Sequence, residues 1–271
     1  MAVAAFTGTV LAENTDPAEN GSQYAWGENV GWINAEPSGN GGPGVQVDDF
    51  ELTGWMWGES VGWISLSCSN TASCVGGTNY GVRNDGAGNL SGLAWAENAG
   101  WIDFAPATSG VVIDPATGDF GGEAWGENVG WVRFTSSGPT PFKVTTAWTC
   151  DPPPDVPGGI PELEVERDGP DSVLIWPPAA GASGHDVVTG SLDVLRALGG
   201  DFLGATSGCL GDNLTTGSAR HSVDPDPGQG LWFLVRGVNC GGAGIYDSGQ
   251  ASQYAPRDPG IAASGVDCGI P

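Results

Sequence analysis

Glutamate recurs at four matching positions, Glu28, Glu59, Glu97 and Glu127, each inside a seven-residue phrase bracketed by tryptophans. The phrase reads WGENVGW at 26–32 and 125–131, WGESVGW at 57–63 and WAENAGW at 95–101. Two kinds of chemistry suit these residue types. Carboxylate oxygens bind Ca²⁺, and Asp114 with Asp119, or Asp48 with Asp49, would complete a ligand set with the glutamates. Indole rings at Trp26, Trp32, Trp57, Trp63, Trp95, Trp101, Trp125 and Trp131 would stack on sugars if they face water, because an exposed aromatic row marks a binding surface. Each has a plainer alternative. The glutamates can bond the N–H groups of their own turns, and the tryptophans can be core. DPATGD at 114–119 lacks the DxDxDG order of an EF-hand loop, so Ca²⁺, the one cofactor considered, rests on composition alone.

Other reactive groups are sparse. The two histidines, His185 and His221, lie in no HExxH or GxSxG context, and no GxxxxGK[ST] loop occurs. No pair of carboxylates stands out for glycoside hydrolysis. The expectation is a non-catalytic protein.

The six cysteines, Cys68, Cys74, Cys150, Cys209, Cys240 and Cys268, contain no CxxC pair, which argues for disulfides in an oxidising compartment rather than zinc. Cys68 and Cys74 can close a local loop. The other four allow three pairings that remain open, with Cys209–Cys240 and Cys150–Cys268 favoured. The opening MAVAAFTG has the small residues of a processed export product but not the charged region of a signal peptide.

A formal net charge of −24 and a single lysine, Lys143, exclude a nucleic-acid partner and disfavour anionic lipid. The acidity is evenly spread: residues 1–150 carry 16 acids against 3 bases, and residues 151–271 carry 16 against 5. No apolar run is long enough for a membrane span.

These residues must be positioned by strands and turns. Forty-seven glycines, 20 prolines and the lack of sustained helical periodicity predict an all-β chain. The first tryptophans of the phrases are spaced by 31, 38 and 30 residues, a repeat period. The flanks repeat too: GVQVDDFELTGWMWGESVGWISLS aligns with GVRNDGAGNLSGLAWAENAGWIDFA and with GVVIDPATGDFGGEAWGENVGWVRFT. Each unit reads strand, turn, strand, turn, strand, with GENVG as a tight hairpin turn whose glycine takes a left-handed conformation. The two tryptophans of a phrase then share one face. The expectation is that four hairpins bury four tryptophan pairs in a common core, since one unit cannot bury its aromatic face alone. Ten of the 12 tryptophans precede residue 150, more than a modest core needs, which sustains the sugar-stacking alternative. TPFKVTTAW after the fourth repeat and MAVAAFTGTVLA before the first lack partners in the pattern, and the latter is a candidate strand donor to a neighbouring chain.

The expected domains are a tryptophan-rich β-repeat domain at 1–149, a Pro-rich linker at 150–161 (CDPPPDVPGGIP) and a β-sandwich at 162–271. A short helix is expected at LDVLRAL, 192–198. On the residues LIWPP, DVVTGSLDVLRALGGDF, GCLGDN, GQGLWFLVRGVNCGG and YDSG, the second half resembles the immunoglobulin-like, fibronectin type III-like modules near the C-termini of secreted bacterial proteins. The first half resembles bacterial extracellular proteins with tandem aWGENvGWI repeats. The resemblance implies an extracellular or cell-surface location and a spacing, display or adhesion role. The resulting expectation is a secreted structural protein that self-associates into a homopolymer, a subunit of a fibre or surface layer. The alternative is a glycan-binding module with a polysaccharide partner.

Overall fold

A computed structural model describes residues 14–37, 44–74, 79–151, 154–223, 225–251, 253 and 255–269. The chain divides into two compact units, with the boundary between Asp151 and Pro152. Both are built from antiparallel strands, as expected. The proposed strand donor, residues 1–12, lies outside the described residues.

Each tryptophan-bracketed phrase forms a hairpin. The first joins Tyr24–Gly27 to Gly31–Asn34, the second Trp55–Gly58 to Gly62–Ser65, the third Leu90–Ala96 to Gly100–Asp103, and the fourth Phe120–Gly126 to Gly130–Arg133. The loop closes by a short backbone bond, Val30 N–H donating to the Gly27 carbonyl at 3.3 Å and Val61 N–H to the Gly58 carbonyl at 3.2 Å. The next residue is a glycine with φ of +79° at Gly31 and +71° at Gly130, a conformation that costs other residues about 1–2 kcal/mol.

Neighbouring hairpins pair in turn: Asn34 opposite Trp57, Ser65 opposite Trp95, Asp103 opposite Trp125, and Arg133 opposite Trp26. The last pairing brings the fourth hairpin back to the first, so the eight strands close into a barrel. Because every pairing is antiparallel, all four GENVG-type loops lie at the same end.

Closure decides which face is inside. Successive side chains along a strand alternate between faces, and the inward set is Ala25, Ile33, Met56, Ile64, Ala94, Ile102, Ala124 and Val132, all at most 3% exposed. The tryptophans occupy the alternate positions and point outward. The expected core of four tryptophan pairs is therefore wrong: the interior of a small eight-stranded barrel is filled by side chains of modest size, and short residues beside the tryptophans occupy it.

The loops seal their end of the barrel. Val61 and Val129 are fully buried and Ala99 is 7% exposed. Adjacent loops also clasp one another: Glu28 N–H donates to the Trp131 carbonyl at 2.8 Å, Glu97 N–H to the Trp63 carbonyl at 2.9 Å, and Asn128 Nδ2 to the Ala99 carbonyl at 3.0 Å.

Outside the ring, Gln46–Val47, Glu51–Thr53 and Val82–Asn84 extend the sheet from Leu90–Ala96, and Val111–Ile113 pairs with Phe120–Gly126. Phe134 packs against Phe104 and Phe120, with ring centroids 5.7 and 5.5 Å away. The segment after the fourth repeat is not a free edge. Val144 N–H donates to the Phe134 carbonyl, Thr145 N–H to the Ser22 carbonyl, and Asp16 N–H to the Thr145 carbonyl, all at 2.8–2.9 Å. The expected unpaired trailing strand is thus satisfied within its own unit.

The second unit has a three-stranded sheet of Glu164–Asp168, Asp171–Ile175 and Ser218–His221. Its four-stranded sheet runs in the order Thr206–Leu214, Gly184–Ser191, Leu231–Asn239, Gly242–Ala243. Leu174, Trp176, Val187 and Val235 form one core cluster. A second cluster, of Val188, Trp232, Tyr246, Ile261 and Cys268, draws on Leu192, Leu195 and Phe202 from the helices Leu192–Ala197 and Phe202–Ala205 and includes Ile261 of the helix Asp258–Ala263. The strand Gly184–Ser191 consequently has both faces buried along nearly its whole length. The short helix expected after residue 191 is present, capped by Ser191 Oγ accepting from Val194 N–H.

One expectation about connections is corrected. Cys68–Cys74 is bonded as predicted, but Cys209 pairs with Cys268, which rules out Cys209–Cys240 with Cys150–Cys268. Cys150 and Cys240 are also disulfide-bonded. Backbone groups within the 150–161 stretch are hydrogen-bonded. Cys150 and Asp151 N–H groups both bond the Pro115 carbonyl within the first unit, while the Asp155 carbonyl accepts from Asn239 Nδ2 within the second.

Candidate functional site

The outer wall of the barrel is the candidate site. Each hairpin presents four outward positions: Tyr24, Trp26, Trp32 and Asn34 on the first; Trp55, Trp57, Trp63 and Ser65 on the second; Leu93, Trp95, Trp101 and Asp103 on the third; Glu123, Trp125, Trp131 and Arg133 on the fourth. The paired tryptophans stand directly opposite each other across every hairpin. Trp26, Trp32, Trp57, Trp95, Trp101 and Trp125 are 38–45% exposed, while Trp63 and Trp131 are half-buried.

The rings meet edge to face, the arrangement favoured by the aromatic quadrupole. Trp26 and Trp32 have centroids 5.1 Å apart, and Trp95 and Trp101 are 4.6 Å apart. Further aromatics enlarge these pairs. Tyr24 and Phe142 pack against Trp32 at 6.2 and 5.2 Å, Tyr80 packs against Trp101 at 5.2 Å, and Trp55 packs against Trp63 at 6.1 Å.

Hydrogen-bonding groups interleave with the rings, because the residue two beyond each second tryptophan faces outward and stands opposite the first tryptophan of the next hairpin. Asn34 serves Trp57, Asp103 serves Trp125 and Arg133 serves Trp26. Arg133 is held by Glu123 at 2.6 Å. Ser65, beside Trp95, differs: it is 2% exposed and bonded by Asn70 Nδ2 from the Cys68–Cys74 loop. This second ring of residues was readable from the alternation of WIN, WIS, WID and WVR, but only once the outward face is known.

Three of the predicted carboxylates, Glu28, Asp114 and Asp119, bond within the scaffold. Glu28 Oε2 accepts from Trp131 N–H at 3.4 Å, across a loop boundary. Glu28, Glu59, Glu97 and Glu127 are exposed and share the loop end of the barrel. Asp114 caps its own turn, accepting from Ala116 N–H at 2.8 Å. Asp119 is clamped by Lys143 Nζ at 2.7 and 3.0 Å and by Thr145 Oγ1 at 2.7 Å. Burial acts to raise the Asp119 pKa, but those partners outweigh it and hold the carboxyl below its ordinary range. Among the described residues these six carboxylates form no metal-ligating group of three. The group that does form, Cys209, Asp212 and Cys268, has both its sulfurs committed to a disulfide.

No family model matches the chain, and neither a curated protein nor a solved structure is significantly similar to it.

Proposed function

We propose that the first unit is a non-catalytic carbohydrate-binding module of an extracellular protein, with the outward tryptophans as its binding surface for neutral polysaccharide. The observation that carries this reading is the exposure of six paired tryptophans on the outside of a barrel whose interior is already filled. A chain that needed these rings only for packing would bury them, because exposed aromatic surface on this scale is a liability unless something binds it. The interleaved amide of Asn34 and carboxylate of Asp103 add hydrogen bonds for hydroxyl groups. The charge of −24 supports an uncharged ligand over a polyanion. Barrel strands of four to seven residues are shorter than the roughly 9–11 that a bilayer-spanning strand needs, and no helix among the described residues is long and apolar enough to cross a membrane.

The fibre-subunit reading leaned on hidden tryptophans and on strand donation by residues 1–12; the rings are exposed, and the donor segment lies outside the described residues. The experiment is co-sedimentation of the full chain with particles of cellulose, chitin, starch and a β-1,3-glucan, alongside intrinsic fluorescence with soluble fragments of each. Retention on at least one particle, with a change in emission, is expected. Failure on all four, with large assemblies in sedimentation without sugar, would return the protein to the structural class.

A further inference from the structure

We infer that the barrel is bivalent: two aromatic platforms on opposite sides of it engage separate polysaccharide strands, so that one molecule cross-links them. The inference rests on the carbohydrate-binding reading and adds its valence. In the closed ring the hairpins follow one another as first, second, third, fourth and back to first, so the first and third face opposite directions. These are the two hairpins on which both tryptophans are well exposed: Trp26 38% and Trp32 45% on one, Trp95 39% and Trp101 39% on the other. They are also the two whose edge-to-face pairs are extended by a flanking ring, Phe142 beside Trp32 and Tyr80 beside Trp101.

The intervening hairpins are less open. On the second, Trp63 is half-buried beside Trp55, and the outward Ser65 is covered. On the fourth, Trp131 is half-buried and the polar pair Glu123–Arg133 is closed on itself. A polymer lying along one wall of the barrel cannot reach the opposite wall, so occupancy of both platforms requires two strands.

The alternative occupant, a second copy of this chain, fits less well. A ring about 40% exposed offers on the order of 100 Å², so a three- or four-ring platform offers roughly 300–400 Å². That is about half of the ~800 Å² per partner found in stable interfaces. Two copies at −24 also repel each other. A sugar strand carries no charge and covers a narrow strip.

The test is a bridging assay on the full chain, using the particle that retains it best and a fluorescein-labelled soluble form of the same polysaccharide. The parent protein should capture labelled polymer on the particles. The double variants Trp26→Ala/Trp32→Ala and Trp95→Ala/Trp101→Ala should each still bind particles, within about tenfold of the parent, while capture of labelled polymer falls at least tenfold. All four substitutions together should abolish binding. Circular dichroism and the melting temperature check that the barrel persists, and the corresponding Phe variants should restore part of the capture. Undiminished bridging by either double variant, or complete loss of particle binding in one of them, would overturn bivalence while leaving the binding reading intact. Retention of the parent on no particle would remove the binding reading itself, and bivalence with it. Concentration-dependent dimers that either double variant abolishes would assign the platforms to a second copy instead.

Discussion

Ala99 N–H donates to the Ala96 carbonyl at 3.2 Å, and these two alanines replace the glycine and the valine that occupy the same loop positions in the other three repeats. A Cβ built on Gly27 would lie 2.4 Å from Val30 Cγ2, and one on Gly58 would lie 2.9 Å from Val61 Cγ2. The third repeat thus gains a methyl at the strand position and loses bulk at the loop position, a compensation that keeps the sealed end of the barrel at close-packed density.

The pair should therefore couple. Gly27→Ala alone is expected to destabilise the first unit by about 1–3 kcal/mol through overpacking. Gly27→Ala/Val30→Ala, which writes the third repeat's solution into the first, should cost less than the two single substitutions combined. The coupling is expected at about 1 kcal/mol or more. Urea denaturation of the four members of the cycle measures it, and additive costs would show that the loops are not matched in this way.

Exposed tryptophans make a second prediction. Acrylamide should quench most of the intrinsic emission of the native chain. Trp95→Ala, which removes a ring open to water on one side, should cost about 1–2 kcal/mol, whereas Phe134→Ala, at 2% exposed in the same unit, should cost about 3–5 kcal/mol. Denaturant titrations compare them directly. Equal losses would put the indoles back into the core.

The repeat period, the hairpin turns and the facing of paired tryptophans were legible because each is a local property: spacing, a glycine that tolerates positive φ, and a side-chain period of two. Inside and outside were not legible, since alternation shows that Ala25 and Trp26 face opposite ways without saying which way is in. Hydrophobicity favours Trp26 inside. Barrel closure, a non-local pairing between Trp26 and Arg133, reverses that choice. The Cys209–Cys268 bond was hidden for a similar reason. It depends on where the chain after the helix Asp258–Ala263 returns, and nothing near either cysteine in the sequence encodes that.

The same bond closes a loop with a sequence separation of 59. Replacing both cysteines by serine should cost the second unit about 2–5 kcal/mol, because the reduced unfolded chain regains the freedom the bond removes. Thermal unfolding of the variant should show the loss in the second unit with the first unit unaffected. A loss confined to the barrel would contradict the assignment of this bond to the second unit's stability.

Inside the second unit, Asp186 and Arg236 face each other in register on adjacent strands, with Arg236 Nε 2.9 Å from Asp186 Oδ2. Asp186 is fully buried, Arg236 is 8% exposed, and the guanidinium lies 4.8 Å from the Tyr246 ring centroid. Burial raises the Asp186 pKa, opposed by the Asn213 N–H and by Arg236. Asp186→Ala or Arg236→Ala should each cost about 3–5 kcal/mol by stranding the partner charge, whereas Asp186→Leu/Arg236→Met should be much closer to neutral. Stability measurements on the three variants decide it. A double variant as damaged as either single one would mean that the pair contributes more than mutual neutralisation.

Asp16 supplies the pH-dependent prediction. It is 2% exposed, sits at φ +49° and accepts from Asn20 N–H at 3.0 Å, Gly21 N–H at 2.8 Å and Ser22 Oγ at 2.8 Å. Burial acts to raise its pKa, but these donors outweigh it and hold the carboxyl below its ordinary value. A depressed folded-state pKa means the ionised form favours the folded state. That contribution is complete above the unfolded-state value of about 3.9 and is lost as pH falls through the lower folded-state value. Asp16→Asn retains tolerance of the left-handed backbone but gives up the charge-assisted bonds, so it should lose about 1–2 kcal/mol at pH 7. As pH drops below about 3.9, the parent should weaken toward the variant and the gap should close. Urea denaturation at pH 7 and again near pH 3, followed by tryptophan emission, measures both differences. A gap that persists undiminished in acid would show that Asp16 acts through its shape rather than its charge.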